Sequence, residues 1–353
     1  MSRLDWDVNF LDNPKDFYEP GDKLKAEFIL MVSKKPLEVK RIECRIKGYV
    51  KCIWDTGTSL YNGYESYIDE YYRLLNNKNE GNAELAKGIH KFDIVCNLPS
   101  NLPTSFFCEG GGAIKYKMII KVVGYRRIKL NARIPIRVIR PLNLNVEALH
   151  LRSTLKEELS KKFKFDFTSE PLYMSASIPF SAYVPGQTIN IRIIVNNQSK
   201  TDVKELNISL AKLILLTCKK PKDSTELKCS EVKLTTSGVP ALTVQHFEKE
   251  IVVPPLPPSI SNCELLKVHY QVRVKAITSG LNRWPVLILP ITIGTIPFED
   301  SENPLGLPPP YETLGLSDYD RVIKEGASDD EDNSDDFPSE GATSNKVGKS
   351  SSS

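Results

Sequence analysis

Cys218 and Cys229 bracket the stretch CKKPKDSTELKC, in which four of the ten intervening residues are lysine. Nearby positive charge stabilises a thiolate, so this spacing is what thiol–disulfide exchange would use. Other chemistry is sparse. His90, His150, His246 and His269 lie in separate stretches without metal-ligand spacing, so no metal is expected. Glu109-Gly110-Gly111-Gly112 has the glycines of a phosphate loop, but no Gly-Lys-Ser/Thr follows, and a bend before a strand accounts for them. The chain has no nucleophile elbow, no HExxH and no paired-carboxylate motif, so neither an enzyme nor a cofactor is expected. The remaining chemistry is recognition. Pro308-Pro309-Pro310-Tyr311 is a polyproline II ribbon ending in a tyrosine, the PPxY form that the aromatic groove of a WW domain reads.

The elements behind these residues read as strands. Pro-Gly opens a turn at Tyr18-Glu-Pro20-Gly21 and again at Tyr183-Val-Pro185-Gly186. Period-2 apolar runs follow, LKAEFILMV in one case and INIRIIV in the other. Four more pairs recur in the same order, offset by about 155–165 residues, as repeats of one unit do. VKRIECRI from Val39 matches VKELNISL from Val203, YKMIIK from Tyr116 matches YQVRVK from Tyr270, and IPIRV from Ile134 matches LPITI from Leu289. Ile94-x-x-x-Leu98-Pro99 likewise pairs with Val252-x-x-x-Leu256-Pro257. The body is therefore written twice, as all-β immunoglobulin-like sandwiches. Residues 1–140 and 153–298 form the two units, 141–152 the hinge, and 299–353 a disordered acidic tail. The best helical candidate is STLKEELSKKF from Ser153, with Ser153 and Thr154 as N-caps.

Charge divides the chain unevenly. Residues 301–353 hold 4 Lys/Arg and 12 Asp/Glu, a net of −8. Of the 47 basic and 44 acidic residues, 43 and 32 remain in 1–300, a net of +11. Much of that excess falls on KYKMIIKVVGYRRIKLNARIPIRVIR, where Lys115, Lys117, Arg126, Arg127, Arg133 and Arg137 outline a basic surface. Acidic lipid headgroups or phosphorylated tails would suit it, and so would screening by the chain's own acidic tail. Its plain alternative is the solvated side of an ordinary sandwich. No aromatic interleaving accompanies these cations, so no nucleic acid is expected. The amino terminus, MSRLDWDVNF, lacks the apolar segment of a signal peptide, and seven scattered cysteines without a CxxC pair fit reduced cytosolic thiols.

The order of these blocks followed by PPxY resembles the α-arrestins, the arrestin-domain-containing proteins. NPKDFYEPGDKL, GIHKFDIVCNLPSNLPTSF, SIPFSAYVPGQTINIRIIVNNQS, VPPLPPSISNCELLKVHYQVRV and LPITIGTIP carry the resemblance across roughly residues 5–315. It implies two tandem arrestin β-sandwiches and an adaptor role. In that role the body engages a transmembrane receptor or transporter. The motif recruits a WW-domain HECT-type ubiquitin ligase, and a cytoplasmic protein moves to plasma membrane and endosomes. The resemblance makes Pro308, Pro309 and Tyr311 the ligase contacts, with Leu314 adding an apolar one. Family members commonly carry two such motifs and this tail has one. A single contact of about 10 μM is worth about 7 kcal/mol, without the avidity of a second. A second branch of the family resembles thioredoxin partners with a reactive cysteine, which gives Cys218 and Cys229 an alternative, redox-responsive role.

Overall fold

A computed structural model describes residues 4–76, 83–124, 128–147, 149–163, 170–280 and 284–299. Among the described residues ten strands precede residue 140: β1 (Asp5–Leu11), β2 (Lys23–Val32), β3 (Leu37–Val39), β4 (Arg41–Asp55), β5 (Leu60–Asn76), β6 (Ala83–Leu85), β7 (Gly88–Asn97), β8 (Phe106–Cys108), β9 (Gly112–Val123) and β10 (Ile128–Ile136). Nine follow a short 3₁₀ turn at Leu149–Arg152: β11 (Leu155–Lys161), β12 (Leu172–Ile178), β13 (Ala182–Tyr183), β14 (Thr188–Asn197), β15 (Val203–Lys219), β16 (Lys222–Val239), β17 (Thr243–Val252), β18 (Leu266–Thr278) and β19 (Val286–Ile293).

The duplication read from sequence extends to the topology. Sheet β1-β2-β7 of the first unit repeats as β12-β14-β17 in the second, and β10-β9-β4-β5 repeats as β19-β18-β15-β16. Alternation makes the core. Leu24, Ala26, Phe28, Leu30 and Val32 of β2 point inward, and Ile42, Cys44 and Ile46 of β4 meet them from the facing sheet. Each buried Leu, Ile or Phe contributes about 1.5–3 kcal/mol.

The polar details of the two copies also coincide. Tyr116 donates its hydroxyl to the Pro103 carbonyl at 2.7 Å, and Tyr270 donates to the Pro257 carbonyl at 2.7 Å, thirteen residues upstream in each case. The Ser105 hydroxyl accepts from the Val138 amide at 3.0 Å, as the Ser259 hydroxyl does from Ile293 at 3.0 Å. Tyr18 bridges Val138 in parallel, and Tyr183 of β13 pairs with Ile293 in parallel. Burial pushes both of these phenols up to about 12. The Pro-Gly turns hold Gly21 and Gly186 at φ of 93° and 88°, where only glycine is comfortable.

One expectation is corrected. The segment from Ser153 is no helix: residues 155–161 are strand β11, paired with β12 from Leu155↔Ile178 to Lys161↔Leu172. Leu155 and Leu159 stand four apart, which suits a helix turn, but they also share one strand face. The open edge of β12 offers a full ladder of backbone partners, and that pairing outweighs local propensity. β11 is the strand by which this sheet exceeds its counterpart β1-β2-β7.

Candidate functional site

The residues of the join between the two units are tightly held. Leu142 donates its amide to the Thr295 hydroxyl at 2.8 Å, and Thr295 returns its own amide to the Leu142 carbonyl at 2.9 Å. The Asn145 side chain donates to the Pro297 carbonyl at 2.8 Å, while its oxygen accepts from Arg152 at 2.8 Å and from the Glu299 amide at 3.0 Å. Phe298 is buried with Leu144, Ala182 and Val184, and the Arg152 guanidinium lies 4.9 Å from its ring centre. The linker and the end of the second unit are thus stitched together, and this is where the described chain ends. Pro308, Pro309, Tyr311 and Leu314 lie outside the described residues.

A second join forms where the β4–β5 hairpin meets the β15–β16 hairpin. The Cys52 thiol donates to the Leu265 carbonyl at 3.3 Å, and the Cys218 thiol donates to the Asn62 carbonyl at 3.4 Å. Lys219 reaches Glu264 at 2.6 Å and Glu65 at 3.6 Å, bridging the units by charge. The ion pairs are solvent-exposed and weak individually, whereas the thiols are desolvated. Burial pushes the Cys52 thiol up to about 12, which removes it from exchange chemistry at neutral pH.

The basic surface takes an unexpected form. Arg126 and Arg127 lie outside the described residues. Arg133 is exposed and Lys115 is half-buried, its ammonium 5.8 Å from the Phe107 ring centre. Arg137 is half-buried beside Asp16 at 3.4 Å. Lys117, however, is only 8% exposed. It stands directly across the strands from Lys47, itself 1% exposed, and both ammoniums face the Tyr49 ring, at 5.4 and 5.3 Å. Tyr64 stacks on Tyr49 at 5.5 Å and covers the group. Alongside, Arg45 clamps Asp69 at 2.6 Å, and buried Glu43 accepts from Tyr71 and pairs with Arg41 at 2.7 Å. This outer face is thus a packed polar layer with cations at its rim. Sequence reasoning passed over Lys47, Tyr49 and Tyr64 on this face, whose alternation along β4 and β5 was the available signal.

The two cysteines singled out from sequence separate. Cys218 is buried on the seam; Cys229 is exposed. On the β15–β16 hairpin Cys218 pairs with Asp223, whereas Cys229 pairs with Lys212, six rungs away. At about 3.3 Å per residue that is roughly 20 Å, so the structure does not bring them together. Cys44, Cys96 and Cys263 are buried, the first two in strands β4 and β7.

Comparison with known proteins agrees with this architecture. The amino-terminal domain of arrestin (S-antigen) matches residues 8–145 and its carboxy-terminal domain matches residues 168–298. Human arrestin domain-containing protein 4 is 24% identical over 310 residues, covering 82% of this chain and 71% of that protein. Human arrestin domain-containing protein 1 is 27% identical over 310 residues, covering 85% and 67% respectively. Arrestin domain-containing protein 17 of Caenorhabditis elegans is 24% identical over 333 residues, covering 84% and 72%. With both arrestin domains matched in order and the two main sheets of the first unit repeated in the second, the chain belongs to the arrestin family, in its arrestin-domain-containing, or α-arrestin, branch.

Proposed function

We propose that this protein couples a transmembrane receptor or transporter to a WW-domain HECT-type ubiquitin ligase, so that the cargo is ubiquitinated and sorted into endosomes. Arrestin-family proteins are non-enzymatic adaptors, and the two-sandwich body supplies the rigid platform such a role requires. The observation that carries the ligase half is the Pro308-Pro309-Pro310-Tyr311 run placed directly after that platform. Strand β19, the last among the described residues, ends at Ile293, fifteen positions before Pro308. Three prolines in series have little ordering entropy left to lose on docking, and Tyr311 adds one aromatic anchor.

The test is a titration of the full chain against a WW domain from a HECT ligase. Binding near 10 μM is expected, and Tyr311→Ala is expected to weaken it at least tenfold, about 1.4 kcal/mol. Equal affinity of the two chains would remove the ligase half of the reading while leaving the fold untouched. Proximity labelling in cells with the same two chains then reports which membrane proteins depend on the motif.

A further inference from the structure

Cys108 ends strand β8, and the turn it begins, Cys108–Gly112, leads into β9. The turn is tight: the Gly111 amide donates to the Cys108 carbonyl at 3.1 Å, and the Gly110 amide donates to the Cys108 sulfur at 3.4 Å. Its tip presses on the other unit. A Cβ placed on Gly110 would lie 2.3 Å from Leu227 Cδ1 of β16 and 3.5 Å from the Cys108 sulfur, so Leu227 sits over the turn on the thiol's side. Two residues along the same strand face stands Cys229, exposed, with Lys212 of β15 as its cross-strand neighbour. Lys212 in turn holds Glu231 at 3.0 Å.

We propose that Cys108 and Cys229 are a redox pair across the seam between the two sandwiches, closing to a disulfide by exchange with a low-molecular-weight disulfide such as oxidised glutathione. Cys229 is the entry thiol because it is exposed and faces a lysine. Its thiolate attacks one sulfur of the small disulfide RSSR, forming Cys229–S–S–R and expelling RS⁻. The Cys108 thiolate then attacks the Cys229 sulfur, forming the Cys108–Cys229 bond and expelling the second RS⁻. Both leaving groups take up protons. Overall the protein pair loses two electrons and two protons, and RSSR becomes two thiols. Burial raises the Cys108 thiol above its ordinary range; the Gly110 amide and the Lys212 charge act against this, while Cys229 and Glu109 add to it. The closing step therefore accelerates as pH rises. The bond would tie the β8–β9 turn to the β15–β16 hairpin and fix the two units relative to each other.

The experiment exposes the full chain to oxidised glutathione, quenches with an alkylating agent, and reads intact mass and a non-reducing peptide map. The expected product is lighter by two hydrogens before alkylation and yields one linked peptide pair containing Cys108 and Cys229. Cys108→Ser is expected to stop at a glutathione adduct on Cys229, and Cys229→Ser is expected to form no bond to Cys108. A wild-type chain that retains the Cys229 adduct as Cys108→Ser does, or that links other cysteines instead, overturns the proposal. Thermal unfolding in reductant shows separately whether either variant has failed to fold, and the wild-type map decides without them.

Discussion

Tyr270→Ala is expected to destabilise the second sandwich by about 4–8 kcal/mol, and Tyr270→Phe by about 1–3. The ring is 1% exposed and among the largest fully buried side chains, so truncation costs about 3–5 kcal/mol in lost packing and cavity. The hydroxyl adds a separate loss, because removing it leaves the Pro257 carbonyl without its 2.7 Å donor, a desolvation cost of about 1–3 kcal/mol. Tyr116 repeats the arrangement at the same burial and the same distance in the first sandwich. Tyr116→Phe should therefore cost a similar amount, and the double Phe variant should be additive because the two sites share no partner. Urea unfolding followed by tryptophan fluorescence and by circular dichroism checks this, with each unit fitted as its own transition. Phe variants that leave both midpoints unmoved would show that the hydroxyls are dispensable.

The second large effect falls on the turn before β9. Gly111→Ala is expected to cost about 3 kcal/mol or more, because two constraints act at one residue. Its φ of 106° is a conformation that side chains avoid, and a Cβ would lie 1.8 Å from the Ile53 carbonyl oxygen. That obstacle is backbone and cannot swing aside. Nor can the turn easily invert, since the Gly111 carbonyl accepts the Ile53 amide at 2.6 Å. Gly57→Ala is the control, with φ of 80° but nothing within 4 Å of its Cβ, and should cost only about 1 kcal/mol. Comparing the two urea midpoints separates steric collision from backbone strain, and equal shifts would refute the collision.

Much of this was legible before any coordinates. The Pro-Gly turns, the alternating runs and the paired blocks carry the two sandwiches because those signals are local, within about ten residues. Tyr116 and Tyr270 were visible as paired positions, yet their hydrogen bonds were not, since the acceptors sit thirteen residues upstream in loops. Leu155 and Leu159 satisfy helical and strand spacing alike, and only the neighbouring edge of β12 decides between them. For Lys117, alternation gives the face but not the Tyr49–Tyr64 stack that closes over it. Cys108 and Cys229 belong to different units, and no sequence pattern announces that the turn after Cys108 lies against strand β16 of the other unit.

The Asn145–Glu299 clasp has a further consequence for the proposed ligase docking. Only eight residues lie between Glu299 and Pro308, a leash of about 30 Å at full stretch. A ligase caught on so short a tether would be held near the waist of the molecule at an effective concentration in the millimolar range. Which cargo lysines are modified would then be set by geometry around that anchorage more than by their own sequence.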